Sequence, residues 1–222
     1  LTMLGIVIGV GAVIAMLAVG KGASQKIADQ IASIGSNLLI ILPGSTTTGG
    51  VRMGAGTQPT LTMGDTEAIL SGQLGAVADA APEHGGVAQV VYGNQNWSTG
   101  IKGTTPNFLN VREWKLAAGR SFTEQEVKSG AKVCLLGQTV VDNLFGDIDP
   151  TGQVVRIKRV PFTVIGVLAP KGQSLTGQDQ DDTIFVTVTA AQKQLFGTQF
   201  PGMVRIIHVK AKSTEDLAAA EK

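Results

Sequence analysis

The chain has little of what disulfide-linked domains, metalloproteins and nucleic-acid-binding proteins usually contain. Its 222 residues include one cysteine and two histidines, so an internal disulfide is excluded and a histidine-based metal site has few ligands available. The single cysteine, Cys134, lies in the apolar run AKVCLLG and is predicted to be a buried small hydrophobe. The 18 basic residues nearly balance the 17 acidic ones, and no basic stripe could follow a phosphate backbone. We expect no nucleic-acid partner.

Sequence motifs for catalysis are also missing. The chain contains neither a G-x-x-x-x-G-K-[ST] loop for nucleotide phosphates nor a G-x-S-x-G nucleophile elbow. His84 is predicted to lie in a turn and His208 in a strand as a satisfied polar residue, without metal-ligand spacing to a partner. Asp179, Asp181 and Asp182 lack the pattern of a calcium loop and are predicted to form a solvated loop. We expect no catalytic, cofactor-binding or metal site and infer that the chain is not an enzyme by itself.

The most distinctive segment is the uncharged start, LTMLGIVIGVGAVIAMLAVG. Residues 1–20 include ten Leu, Ile or Val residues, which favour membrane insertion by roughly 3–6 kcal/mol before the cost of the glycines. Twenty residues are long enough to cross about 30 Å of hydrocarbon. We interpret the segment as a transmembrane helix. A signal sequence, which would want a basic start and a cleavage site, and a buried core helix remain as alternatives.

Small residues recur four positions apart in this segment. Gly5 pairs with Gly9, and Gly11 pairs with Ala15. This spacing lets a second membrane helix approach the backbone closely. We predict a helix-packing face at these four positions, while glycines that are merely tolerated in a lone anchor are the alternative.

A second helical pattern follows without a break. Ile27, Ile31 and Ile34 form an apolar stripe, with charged and polar residues on the other faces. The stripe predicts an amphipathic stalk that continues the membrane helix, so that residues 1–34 form a single helical unit ended by Gly35. Because the chain begins at Leu1 and ends inside a helical pattern, we expect it to be a fragment of a longer protein.

Beyond the stalk, short apolar runs alternate with turn residues. NLLIILPG predicts a buried strand and residues 45–60 predict a flexible loop. Thr62, three residues before Asp65, predicts the start of a helix over 63–73. GVAQVVYGNQNWSTGIKG predicts a hairpin that turns at GNQN.

The second half of the chain continues the same alternation. Thr123 with Glu126 predicts a second capped helix, AKVCLLG a buried strand, and QTVVDNLFG a helix. QVVRIKRVPFTVIGVLAP predicts a hairpin, TIFVTV a strand, TAAQKQLFG a helix and MVRIIHVKAK a last strand. Together these elements predict an α+β fold with short helices against sheet segments.

The order of several of these stretches is that of a known family. They are LTMLGIVIGVGAVIAMLAVG, IASIGSNLLIILPG, LTMGDTEAI, LAAGRSFTEQEV, VCLLGQTVVDNLFG, DPTGQVVRI, FTVIGVLAPKG and DDTIFVTVTAAQKQLFG. In this order the chain resembles the MacB-like permease subunits of ABC transporters, through their periplasmic core region. Each stretch alone is weak, whereas their joint occurrence over nearly the whole chain is specific.

The resemblance implies a fold and a division into parts. It implies an N-terminal transmembrane and stalk helix (residues 1–34) followed by a two-part periplasmic domain. A porter-like α/β subdomain would come from residues 35–105 and 201–222, and a small mixed α/β subdomain would be inserted over residues 106–200.

The resemblance also implies a function. The chain would be the periplasmic portion of an efflux or export permease in the bacterial inner membrane, with its bulk in the periplasm or outside the cell. It would act by mechanotransmission, coupling cytoplasmic ATP hydrolysis to a periplasmic change and to contact with a periplasmic adaptor protein or the cargo. ATP and magnesium would bind a cytoplasmic ABC ATPase, fused or separate, and the full complex would contain a homodimer.

Two other functions remain open. A related ABC permease could release lipoproteins from the membrane or regulate cell-wall hydrolases. From a different class, the chain could be a membrane-anchored periplasmic enzyme, although its residues offer no acid, base, nucleophile or metal set.

Overall fold

The computed structural model describes residues 11–14, 16–22, 37–44, 47–48, 51–52, 59–72, 76–174, 177–213 and 216. By the pattern of contacts the chain divides into two units, residues 1–36 and residues 37–222.

The first unit is described only in its middle part, where residues 11–14 and 16–22 are helical (α1). Val13, Ile14 and Leu17 each expose more than half of their surface, and a Cβ at Gly11 would meet no atom within 4 Å. No helix within the described residues has the length and apolar character needed to cross a membrane.

The other predicted site residues of this unit fall outside the described ones. They are Gly5, Gly9, Ala15, Ile27, Ile31 and Ile34. The transmembrane helix, its packing face and the stalk therefore stay predictions.

The second unit contains eleven strands within its described part. They are β1 (Leu38–Ile41), β2 (Thr47–Thr48), β3 (Val51–Arg52), β4 (Val77–Tyr92), β5 (Gln95–Thr104), β6 (Leu116–Gly119), β7 (Val133–Leu136), β8 (Val154–Ile157), β9 (Val160–Leu168), β10 (Thr183–Thr187) and β11 (Ile206–Ala211). The helices are α2 (Met63–Ser71), α3 (Asn107–Val111), α4 (Glu124–Ser129), α5 (Gln138–Leu144) and α6 (Val188–Ala190), which runs into a π-helical segment (Ala191–Phe196).

Both predicted capping boxes are present. At the start of α2 the backbone N–H of Asp65 donates to Thr62 Oγ1 at 3.2 Å, and the N–H of Thr62 donates to Asp65 Oδ2 at 2.7 Å. At α4 the N–H of Glu126 donates to Thr123 Oγ1 at 3.2 Å, and the N–H of Thr123 donates to Glu126 Oε2 at 2.8 Å. Each box satisfies backbone donors that a helix start leaves without an intrahelical partner.

Six strands close on themselves. β4 pairs with β5, β5 with β10, β10 with β7, β7 with β9, β9 with β8, and β8 returns to β4. The β5–β10 and β7–β9 pairs are parallel and the other four are antiparallel. We call this closed set the six-strand ring.

The long strand β4 belongs to two parts of the sheet. Its first residues, as far as Glu83, pair with β11, which pairs in turn with β1. Its later residues, from His84 onward, pair with β5 inside the ring. The predicted GNQN hairpin is confirmed as the β4–β5 turn, but β4 begins earlier, at Val77.

Apolar side chains form two clusters, one on each side of the ring wall. Ile184 and Val186 of β10 belong to the first cluster, together with residues of the other ring strands and of α5. Phe185, between them, belongs to a second cluster with residues of α3, β11 and the first half of β4. Neighbouring side chains of a strand point to opposite faces, so β10 is buried on both faces. Cys134 is fully buried in the first cluster, as predicted.

Two predictions for the start of this unit are wrong in detail. NLLIILPG does form a strand, but Ile40 and Leu42 each remain 52% exposed. Among the described strands, β1 pairs only with β11 and lies at the edge of the sheet. The predicted loop over 45–60 contains the short antiparallel pair β2–β3.

Candidate functional site

A polar cleft of about 190 Å³ lies beside the ring. We call it the polar cleft and define it by Lys102, Arg112, Trp114, Asp179, Gln180 and Asp182. The sequence predicted no site here. These residues lie up to 80 positions apart and follow no motif spacing.

Strand register and one short helix position the basic side of the polar cleft. Lys102 on β5 lies opposite Phe185 of β10. Arg112 follows α3 directly, and its backbone N–H donates to the carbonyl of Phe108 at 2.9 Å. Trp114 donates from Nε1 to the carbonyl of Ala169 at 3.1 Å, and its ring packs edge-on against Phe185 at 5.1 Å between centroids.

The acidic side comes from the loop before β10 and differs from the predicted solvated loop. Asp181 is only 6% exposed, and its two carboxylate oxygens accept from the backbone N–H groups of Lys171 and Gly172, each at 2.8 Å. Asp179 accepts from Thr139 Oγ1 at 2.6 Å. Asp182 accepts from Trp97 Nε1 at 2.8 Å. The three carboxylates therefore tie the loop to neighbouring parts of the second unit, although only Asp181 is buried and Asp179 is exposed.

Within the described residues, no group of three or more His, Cys, Asp or Glu side chains is arranged to hold a metal ion. The acidic loop is therefore not a candidate metal centre in the described part of the chain.

The cationic side chain of Lys171 lies beside Trp114 and Arg112. Lys171 donates from Nζ to the carbonyl of Arg112 at 2.6 Å, and its ammonium lies 5.1 Å from the centre of the Trp114 ring. Burial lowers the pKa of Lys171, and the nearby charge of Arg112 lowers it further. Burial also lowers the pKa of Arg112, opposed by the negative charge of Glu83. Both shifts indicate positive groups that are partly withdrawn from water, and the shift of Lys171 also reflects its proximity to Arg112, which outweighs the opposing charges of Glu113 and Asp181.

A buried hydrogen-bonded pair of side chains lies near this basic side. His208 Nε2 is 3.0 Å from Glu83 Oε2, and the imidazole packs edge-on against Phe108 at 5.2 Å between ring centroids. The predicted strand position of His208 is confirmed. The imidazole is satisfied at Nε2, whereas its Nδ1 is buried without a hydrogen-bond partner among the described residues. Burial raises the pKa of Glu83, but the hydrogen bond from His208 and the charges of Lys102 and Arg112 outweigh it, so the net pKa lies below its usual value.

The prediction for His84 is wrong. Instead of lying in a turn, it is on β4 and only 1% exposed. Its Nε2 is 2.9 Å from the carbonyl oxygen of Gly197, and burial lowers the pKa of the imidazole. The Pro and Gly residues around it in APEHGG suggested a turn, whereas strand pairing on both sides of β4 overrides that local preference.

The Glu83 pair gives a testable pH dependence. Because the folded-state pKa of Glu83 is below its ordinary value of 4.5, the pair stabilises the fold above about pH 4.5, and this contribution is lost as the pH falls further. We expect the difference in free energy of unfolding between the wild type and Glu83→Gln to be largest at neutral pH and to shrink toward pH 3. Urea unfolding followed by circular dichroism at several pH values measures it.

The matched control is Glu113→Gln, which removes a carboxylate paired with Lys210 at 2.9 Å but 45% exposed. It should change stability by less than about 1 kcal/mol. If the free energies of unfolding of the wild type and of Glu83→Gln differ by the same amount at pH 7 and at pH 3, the stabilising role of the ionised Glu83 is contradicted.

A second concavity is a groove of about 230 Å³ between α2 and α4. Met63 and Leu70 line it from α2, and Val127 lines it from α4. Leu70 is 45% exposed. The groove is partly apolar and open, as a contact surface for another chain would be.

Comparison with known proteins gives the family. The sequence profile described as the MacB-like periplasmic core domain matches residues 1–222. The macrolide export ATP-binding/permease protein MacB of Syntrophobacter fumaroxidans is 50% identical over 199 residues, which cover 89% of this chain and 28% of that protein. The protein of the same name from Chlorobium luteolum is 37% identical over all 222 residues, which cover 33% of it. The chain thus spans about a third or less of the length of these relatives.

Two solved structures share the fold. The periplasmic region of MacB from Actinobacillus actinomycetemcomitans matches with a TM-score of 0.67 at 22% identity, covering 88% of this chain and 86% of that one. The extracellular domain of the noncanonic ABC-type transporter YknZ from Gram-positive bacteria matches with a TM-score of 0.66 at 18% identity, covering 84% and 89%. The mixed α/β fold of the second unit is therefore that of these domains.

Proposed function

Because the chain belongs to the family of MacB-like periplasmic core domains, we propose that it is the periplasmic part of the permease subunit of an ABC-type exporter that expels macrolides. The observation that carries the proposal is the family match over residues 1–222, together with 50% identity to a protein named as a macrolide exporter. The chain would not hydrolyse ATP itself, since ATP and magnesium would bind the ATPase part of the transporter.

In this proposal, residues 1–34 cross the inner membrane and continue as a stalk. Gly5, Gly9, Gly11 and Ala15 would pack against another membrane helix. Ile27, Ile31 and Ile34 would pass motion from the ATPase to the periplasmic part. The exposed apolar side chains of α1 support the anchor, because a helix with exposed Val13, Ile14 and Leu17 needs lipid or another helix to cover them.

The periplasmic part would work as two bodies. We propose a porter-like subdomain from residues 35–105 and 201–222 and an inserted subdomain from residues 106–200. The pairing of β1 with β11 and of β11 with β4 supports the first body, since it joins the two ends of the segment. β4 continues into the ring, so a movement of one body would be passed along this strand to the other.

The groove between α2 and α4 is the surface we propose for contact with a periplasmic adaptor or with cargo, in a complex that contains two permease subunits. Met63 and Leu70 on α2 face Val127 on α4 across it, so relative motion of the two helices would change its width.

A chimera tests the export function. The matched segment of the Syntrophobacter fumaroxidans protein is replaced by residues 1–222, and the chimera is expressed in a macrolide-sensitive bacterium that lacks its own exporter. We expect macrolide resistance at the level of the unaltered relative, and none from the same chimera with an inactive ATPase part. A chimera that reaches the membrane but gives no resistance would overturn the proposal.

The same chimera tests the packing face. Gly5→Leu combined with Gly9→Leu should abolish resistance and weaken assembly, because leucine keeps two helix backbones apart. The control is Val7→Leu, which adds bulk on the opposite side of the helix and should leave resistance unchanged. Full resistance of the double variant would remove the packing face from the proposal.

A further inference from the structure

We propose that the polar cleft is a binding site for a small oxyanion, a carboxylate or phosphate group, which Lys102, Arg112 and Gln180 hold. The inference goes beyond export and does not depend on it, since it rests on the side chains of the second unit alone.

Three donor groups of the polar cleft lack an acceptor within the described part of the chain. Among the residues that the structure describes, neither the ammonium of Lys102 nor the guanidinium of Arg112 has a hydrogen bond or ion pair. The side-chain Nε2 of Gln180 is buried and also has no hydrogen-bond partner in that part of the chain. Buried polar groups are nearly always hydrogen-bonded, so the buried Nε2 of Gln180 requires a partner. Lys102 and Arg112 are half-buried, and all three groups can only donate at these atoms. The missing partner is therefore an acceptor.

The neighbouring carboxylates do not fill this role. Glu83 is engaged by His208. Asp182 accepts from Trp97, and Asp179 accepts from Thr139 and from the backbone N–H of Asp181. Each carboxylate close to the cleft thus already has a donor of its own. Glu83 attracts Lys102 and Arg112 only through its charge, without a hydrogen bond to either, so their donor groups remain available to an external anion.

The crowding of positive charge favours that anion. Lys171 is held against the carbonyl of Arg112, so a third cation stands beside the two that line the cleft. An anion in the cleft would be attracted by Lys102 and Arg112, which both line it, and would offset the repulsion between Arg112 and Lys171. The planar guanidinium of an arginine donates two parallel hydrogen bonds to a carboxylate or phosphate, which also favours an oxyanion over a spherical ion.

The volume limits the ligand. At about 30 Å³ per water molecule, a cleft of about 190 Å³ has room for roughly six waters or a ligand of similar size. This fits inorganic phosphate or a four-carbon dicarboxylate. It is below the range of about 300–1,000 Å³ in which drug-sized ligands bind, so a macrolide is excluded from the cleft.

Tryptophan fluorescence provides the test. Of the two tryptophans of the chain, Trp114 lines the cleft and Trp97 donates a hydrogen bond to Asp182, which lines it. The 222-residue chain in a nonionic detergent is titrated with sodium phosphate and, separately, with sodium succinate, at constant pH and ionic strength. We expect a saturable fluorescence change with at least one probe, and the two titrations distinguish a phosphate from a carboxylate ligand.

Variants locate the site. Lys102→Gln and Arg112→Gln should each weaken binding about tenfold or more, since each removes a charge-assisted hydrogen bond. The control is Arg156→Gln, which removes an exposed arginine of β8 outside the cleft and should leave the affinity unchanged. If Arg112→Gln does not fold, as judged by circular dichroism, Lys102→Gln and Gln180→Leu decide the question.

Two results would overturn the proposal. One is the absence of a saturable change with both probes. The other is an equal loss of affinity in Arg156→Gln and Lys102→Gln, which would mean that the anions respond to net charge and not to the cleft.

Discussion

Gly85→Ala is expected to destabilise the second unit by about 3 kcal/mol or more, at the upper end of what overpacking usually does. A Cβ at Gly85 would lie 1.9 Å from the backbone carbonyl oxygen of Ile101 and 3.0 Å from the carbonyl carbon of the same residue. In a regular strand the Cβ points out of the sheet and away from the paired strand. The backbone of β4 is therefore twisted at Gly85, where the strand passes from β11 into the ring.

The clash cannot be relieved by a side-chain rotation, because the obstructing atoms are backbone. Gly85 is paired with Lys102 on β5, so making room means separating β4 from β5. Domains of this size are stabilised by only about 5–15 kcal/mol in total, so the loss is a large fraction. Urea unfolding of the purified chain, followed by far-UV circular dichroism, measures it.

Gly64→Ala is the matched control. A Cβ at Gly64 on α2 would meet Thr62 Oγ1 at 3.5 Å, an ordinary contact. Alanine is the better helix former by up to about 1 kcal/mol, so this variant should be equal to or slightly more stable than the wild type. Equal stability of Gly85→Ala and Gly64→Ala would show that β4 has room at position 85 and that the inferred twist is wrong.

Local patterns predicted most of the secondary structure of the second unit. The helices α2 and α4 begin where Thr62 and Thr123 were expected to cap them. The hairpin in QVVRIKRVPFTVIGVLAP forms as β8 and β9, turning at Lys158 and Arg159. These features depend on residues that are close in sequence, and the physical signals for them are short-range.

The closure of the ring could not be predicted in the same way. The pair of β5 with β10 joins residues more than 80 positions apart, and the pair of β8 with β4 joins residues more than 60 positions apart. Nothing in a strand's own sequence specifies its partner beyond the pattern of apolar residues. The run TIFVT is an example. Its apolar residues predict a buried strand, but they do not predict that Phe185 packs in one cluster while Ile184 and Val186 pack in the other.

The polar cleft was missed for a related reason. Lys102, Arg112 and Gln180 come from β5, from the end of α3 and from the loop before β10, and only the tertiary fold brings them together. Asp181 was expected in solvent because acidic loops usually are, yet the N–H groups of Lys171 and Gly172 bind it. The sequence DQDD shows that the loop is acidic, but it does not show which backbone N–H groups will bind its carboxylates.

Phe185→Ala is expected to lower the free energy of unfolding by about 3–5 kcal/mol. The variant tests whether the six-strand ring unfolds together with β1 and β11, which we call the outer strands. Phe185 is completely buried. Its ring packs edge-on against Phe108 and Trp114, each at 5.1 Å between centroids. The substitution removes the side chain from a cluster that also includes Ile207 of β11 and Ala80 of β4, and close-packed surroundings relax only partly into the cavity.

The position of Phe185 on β10 makes the expected result specific. Its neighbours Ile184 and Val186 face into the ring, whereas Phe185 faces α3 and β11, so the lost contacts lie between the ring and the outer strands. If both parts unfold together, circular dichroism and tryptophan fluorescence should report one transition at a lower urea concentration. Val87→Ala, at a position that is 71% exposed on the ring strand β4, should shift the midpoint by no more than about 0.5 kcal/mol. Two separate transitions in Phe185→Ala would instead show that the ring folds without the outer strands, and that the second cluster joins two independent bodies.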